Sequence, residues 1–206
     1  DDPFNIYSHP SWRPLLDLTR EKTDRIVMRT AAWDTDVPPP LEALSKSETE
    51  MRAGSRYTHF RLEVGGRTLT SHSRRDPDVN TVWMEEHLLK DAEDLRAFLE
   101  LPPEPADGVV KTEPVVKAEK ALGETGIAMI DTPDPLCRAA ALFDMTEYTV
   151  IAMTEQSLFH ELLERFAAEL WPKTEAVAKA LPGRLWRIYG PEYASPPYLP
   201  PNLFEE

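Results

Sequence analysis

The residue pattern predicts an α/β fold built on a parallel sheet with helical crossovers, and three observations carry that prediction. The second half of the chain alternates helix and strand signals: a helix over 114–123, an apolar run at 126–130, helices from Pro135, a second apolar run at Leu185–Tyr189, and a new helix from Pro200 or Pro201. The second apolar run leads into a proline-stiffened loop carrying Glu192, Tyr193, Ser195 and Tyr198. A βα-barrel enzyme builds one sector of its active site in this way, at a strand C-terminus. The one clear antiparallel signal is confined to 56–84: residues 56–64 alternate, Gly65-Gly66 turns, and residues 67–72 return. A single domain over 1–206, with a hairpin excursion at 56–84, is the expected organisation.

Each element has its own warrant. Ser11 is placed to cap a helix bearing Leu15, Leu16 and Leu18 that ends near Lys22 and Thr23. Residues 25–30 read as a short strand. The polar, proline-bearing segment 33–53 reads as loop with a weak helix over 45–51, and 81–84 adds a strand beside the hairpin. Asp91 with Asp94 opens a helix through Leu95, Phe98 and Leu99, which Pro102-Pro103 closes. Pro114 and Gly123 bracket the next helix. After the 126–130 strand comes the polar loop 131–134, a small-residue helix over 135–143, and a helix over 146–153 capped by Asp144. The longest helix spans 155–181, with Leu158, Leu162, Leu163, Phe166 and Leu170 at helical spacing and Pro172 set to kink or divide it.

Composition bounds the partners. At 206 residues, 41% hydrophobic and 29% charged, the chain has enough apolar content for a sizeable core. A net charge of −13 argues against nucleic acid and anionic membranes, which call for a basic surface. No run of 18 apolar residues is present, so no spanning helix is expected. The N-terminal Asp-Asp-Pro-Phe lacks a signal-peptide pattern, and the single cysteine, Cys137, rules out an internal disulfide and fits a reducing, cytoplasmic setting. Twenty prolines against eight glycines, mostly flanked by apolar residues, suggest stiff connectors.

Chemistry is expected at the ends of the two apolar strands. Asp131 and Glu192 follow those strands at the same topological end and are the candidate catalytic acids or bases. Tyr189, Tyr193 and Tyr198 are suited to stack on, or hydrogen-bond, a flat ligand, and equally to pack the loop; Ser195 joins them as a candidate binding residue. Asp134 or Thr132 serves equally as a helix cap. Histidines 9, 59, 72, 87 and 160 show no metal-ligand spacing; His9, ahead of the first helix, is a candidate lining residue. Cys137 has no paired base and reads as an inert thiol. Phosphate-cradling glycine loops, Gly-x-Ser-x-Gly and Cys-x-x-Cys are absent.

The segments 114–123, 130–135 and 189–201 resemble the uroporphyrinogen decarboxylase superfamily, which also holds corrinoid-linked methyltransferases. The resemblance implies a (β/α)8 TIM barrel with a cleft at the strand C-termini. This chain has too few strands for one, so the implied object is a partial barrel, lacking the N-terminal strand and the C-terminal barrel half, with a small antiparallel hairpin insertion. It implies a small-molecule substrate, anionic or tetrapyrrole-related, and a decarboxylase-like lyase. The alternatives are a zinc-using methyltransferase served by a corrinoid protein, its zinc ligands beyond Glu206, and a non-catalytic ligand-binding relative. No cofactor or metal is implied within the chain itself, and a homodimer is allowed. The position matching the family's catalytic aspartate falls on Thr30 or Ala31, with Thr30 as a binding candidate; its tyrosine falls near Ala141; and its acidic pair at the Leu185 strand is replaced by Gly190-Pro191-Glu192.

Overall fold

The computed structural model describes residues 3–36, 38–105 and 108–204. After a 3-10 turn at Pro10–Trp12 come α1 (Arg13–Lys22), β1 (Arg25–Arg29), β2 (Ala32–Asp34), α2 (Pro40–Leu44), β3 (Ser45–Arg52), β4 (Ser55–Val64), β5 (Arg67–Arg75) and β6 (Trp83–Glu86). The second half holds α3 (Ala92–Leu99), β7 (Val109–Lys111), α4 (Glu113–Leu122), β8 (Gly126–Pro133), α5 (Pro135–Ala140), α6 (Met145–Thr154), α7 (Gln156–Ala180), β9 (Leu185–Tyr189) and α8 (Pro201–Phe204). Glu205 and Glu206, the rest of the terminal stretch, lie outside the described residues.

Three sheets result. β1, β8 and β9 form an open parallel sheet in that order, β2 pairs with β7, and β3 to β6 form a four-stranded antiparallel sheet in sequence order. In the parallel sheet Ile26 stands beside Ile127, and Asp131 beside Arg187. Each strand sends alternate residues to opposite faces. Val27, Ala128, Ile130 and Trp186 therefore share one face and pack with Val115 and Leu122 of α4 and with Val177 and Leu181 at the end of α7. Ile26, Ile127 and Leu185 share the other face, which is open to solvent.

The antiparallel sheet has a core of its own. Leu62 and Leu69 pack with Leu95 and Phe98 of α3, Phe143, Tyr148 and Ile151, and Phe159, Leu162 and Phe166 of α7. At the β4–β5 turn Gly65 and Gly66 have φ of 57° and 69°, the paired left-handed conformation of a two-residue hairpin. A Cβ on Gly65 would lie 2.7 Å from the Cα of Ala97, so this turn packs directly against α3. Capping follows the residue types: Asp91 accepts from Asp94 N–H at α3, Asp134 from Cys137 N–H at α5, and Asp144 from Thr146 and Glu147 N–H at α6.

The expected barrel is not formed. Only three parallel strands are present among the described residues, they do not close, and the antiparallel strands make a separate sheet rather than an insertion. Segment 45–52, expected as a weak helix, is a strand of that second sheet. Ala53 and Gly54 both take positive φ, 52° and 86°, turning β3 back onto β4 as a second tight hairpin. β3 is an exposed edge strand, so it has no apolar alternation to announce it. β2 and β7, which no alternation marks, pair only with each other among the described residues. Ser11 does not cap α1; the side chain of His9 accepts Ser11 N–H and caps the preceding turn instead. Pro172 neither divides α7 nor ends it, although it cannot donate to the carbonyl of Ala168.

Candidate functional site

Asp131, the first polar residue after the apolar run of β8, lies beside Arg187 in the middle of β9. Its carboxylate accepts from Arg187 Nε at 2.6 Å and Nη2 at 3.0 Å, a two-pronged pair across neighbouring strands. Thr30, just past β1, donates from Oγ1 to the Asp131 carbonyl at 2.9 Å and ties the third strand end to the same place. The Arg187 guanidinium also sits 5.2 Å from the Tyr189 ring centroid. All three strands thus deliver polar groups to one end of the sheet, where Arg187 remains 46% exposed.

The loop after β9 folds back onto this end. Asp134 N–H donates to Tyr189 C=O at 2.9 Å, while the Asp134 carboxylate caps α5 through Cys137 N–H at 2.7 Å. Gly190, with φ of 128°, lies so close that a Cβ would collide with the Asp134 carboxylate and sit 2.6 Å from Cys137 Cβ. The Glu192 carboxylate accepts Gly190 N–H at 3.1 Å. The Cys137 thiol is pushed up first by burial and then by the negative charges of Asp134, Glu192 and Asp131, so it stays protonated. Burial, reinforced by Glu192 and opposed by the Cys137 N–H, also raises Asp134. Arg187 is raised, chiefly by its hydrogen bond to Asp131 and least by Glu192, so it keeps its charge.

The other expected site residues divide. Tyr189 is drawn into the cluster, its hydroxyl raised by burial and by Cys137 and Asp131. Tyr193 and Tyr198 pack instead: their rings lie 6.0 Å apart, and Tyr193 meets fully buried Tyr148, whose hydroxyl donates to Tyr193 C=O at 3.3 Å. Burial lifts the Tyr148 hydroxyl above its ordinary range. Ser195 spends its hydroxyl on Glu192 C=O at 2.8 Å. The described side-chain contacts of His9 are Ser11 and, at 3.1 Å, Asp78, neither of them among the predicted site residues. Sequence reasoning passed over Arg187; its one signal was a guanidinium inside the otherwise apolar run Leu-Trp-Arg-Ile-Tyr.

No cluster of three or more His, Cys, Asp or Glu is placed to hold a metal among the described residues. Behind the loop, Ala194 and Leu199 wall a pocket of about 370 Å³ whose other side includes Phe159, His160 and Glu164. Chemically, the strand ends offer a cation fixed by the Asp131 carboxylate and an aromatic ring beside it, with the Glu192 carboxylate on the following loop. No helix is long and apolar enough to cross a membrane among the described residues. Compared with protein-family models, with curated proteins and with solved structures, the chain finds no match.

Proposed function

We propose that the ends of β8 and β9 bind an anionic, carboxylate-bearing small molecule and act on it as a carboxy-lyase of the uroporphyrinogen decarboxylase kind. The observation that carries this reading is the Asp131–Arg187 pair: an arginine held in plane by one carboxylate, with its outer edge free for a second. Tyr189 offers a flat apolar surface beside that cation.

In such a reaction the pyrrole ring of the substrate takes a proton, the bond to the departing carboxylate breaks, carbon dioxide leaves, and the electron pair returns to the ring. A proton from solvent then adds to the exocyclic methylene to complete the new methyl group, and the ring gives up the proton it first took, so that one proton is consumed overall. Asp131 is the group to stabilise the cationic ring, and Glu192, exposed at the loop, is the group to exchange the proton. The test is anaerobic incubation with uroporphyrinogen and chromatographic search for less carboxylated porphyrinogens. Turnover that survives in Asp131→Asn at the wild-type rate removes Asp131 from the chemistry. Arg187→Met is expected to weaken substrate binding about tenfold or more, the scale of a lost charge-assisted pair.

A second reading, ligand binding without catalysis, is favoured by one observation: both acids are already engaged, Asp131 by Arg187 and Glu192 by Gly190 N–H. Saturable, Arg187-dependent quenching of Trp186 fluorescence by uroporphyrin, with no product formed, would select it.

A further inference from the structure

A second surface of the molecule is built for a different occupant. A groove of about 540 Å³ runs between α1 and β1, with Leu15, Leu16 and Arg20 on its helix side. On its strand side every residue from 24 to 29 lines it. Because successive strand residues point to opposite faces, only a groove along the edge of a strand touches them all. β1 is an outer strand of the parallel sheet, with β8 as its one neighbour. Within it, Met28 C=O accepts from the side chain of Arg29 at 2.7 Å.

The charge of the groove is opposite to that of the chain. Arg20, Arg25 and Arg29 line it against one acid, Asp24, in a molecule of net charge −13. Among the described residues, Asp17 engages Arg20 at 3.1 Å, Arg25 bonds Thr125 and leaves its Nε buried without a partner, and Arg29 holds a backbone carbonyl. Ile26 and Met28 supply exposed apolar surface on the opposite face of the strand.

We propose that this groove docks an extended acidic peptide segment of a partner protein, which adds to β1 as a further strand and sets alternate carboxylates against Arg25 and Arg29. Main-chain hydrogen bonds supply affinity in this mode, and the side chains at alternate positions supply specificity. The strand's reach, about 16 Å at roughly 3.3 Å per residue, matches five or so residues of peptide. The strongly acidic chain disfavours a second copy of itself as occupant.

The probe is a fluorescein-labelled hexapeptide alternating glutamate and valine, titrated with the whole chain and followed by anisotropy. Saturable binding is expected, falling about tenfold or more in Arg29→Glu and with added salt. A lysine-for-glutamate peptide should not bind. The glutamate peptide N-methylated at alternate residues, which keeps its charge but cannot complete a ladder, should also lose at least about tenfold. Equal binding of the N-methylated peptide, binding of the lysine peptide, or no binding at millimolar peptide overturns the proposal. So does a dimer in sedimentation that Arg29→Glu dissolves, since the occupant would then be a second copy.

Discussion

Gly190 ends β9 in a backbone conformation with φ of 128°, and its missing Cβ leaves room for Asp134 and Cys137. Gly190→Ala is therefore expected to cost about 3 kcal/mol, from backbone strain and the displaced cap together. Urea unfolding checks this, and a midpoint unchanged from wild type would show that the loop relaxes freely. Asp134 gives a pH-dependent counterpart. Burial, the main cause, and Glu192 raise its carboxyl in the folded state. An acid raised on folding adds stability below its unfolded value and loses it as pH rises through the folded value. Asp134→Asn keeps a good cap without the charge. Its stability relative to wild type should therefore increase as pH climbs through the carboxylate range and level off above it. A flat difference across that range would mean the aspartate carries no buried charge.

At the scale of elements, α7 organises its surroundings through one side chain. Arg165 donates to the carbonyls of Leu99, Leu101 and Pro102 at 3.2, 2.8 and 2.7 Å, and reaches buried Glu169 at 3.3 Å. Glu169 also meets Arg138 at 2.8 Å, an ion pair whose geometry falls short of a hydrogen bond. Arg165→Met retains the apolar stem but abandons three carbonyls and half of a buried pair, and should cost about 3 kcal/mol in chemical denaturation. A loss below about 1 kcal/mol would mean that water replaces the clamp. Elements of this kind differ in how openly they were written. Helices with an aspartate cap or a closing glycine, such as α3, α4 and α6, were legible because the cap is a local hydrogen bond made by a neighbouring residue. β3 was not, because a strand exposed from its second residue on carries no burial pattern, and Ala53 in a left-handed turn is a weak signal beside Gly65-Gly66.

For the molecule as a whole, α7 is shared between two cores: Phe159, Leu162 and Phe166 belong to that of the antiparallel sheet, Val177 to that of the parallel sheet. Twenty-five residues at about 1.5 Å each give the helix a reach of about 37 Å, enough to serve both. Leu162→Ala, costing about 2–5 kcal/mol, and Val177→Ala, costing less, should each lower one common thermal transition. Two separated transitions in calorimetry would show that the sheets melt independently. Shared burial of this sort is a long-range property, which explains why the pairing of β8 with β9 was foreseeable from two apolar runs while the overall arrangement was not. The expected barrel failed on strand supply. The Asp131 position was readable because it follows an apolar run, and Arg187 was missed because its partner is 56 residues away.

β3 also has a bearing on how concentrated solutions of the chain behave. It closes one side of the antiparallel sheet with Lys46, Glu48, Glu50 and Arg52 projecting at every second position. A neighbouring molecule attempting to stack there would bring like charges into register, so the rim works as a gatekeeper against fibrillar aggregation.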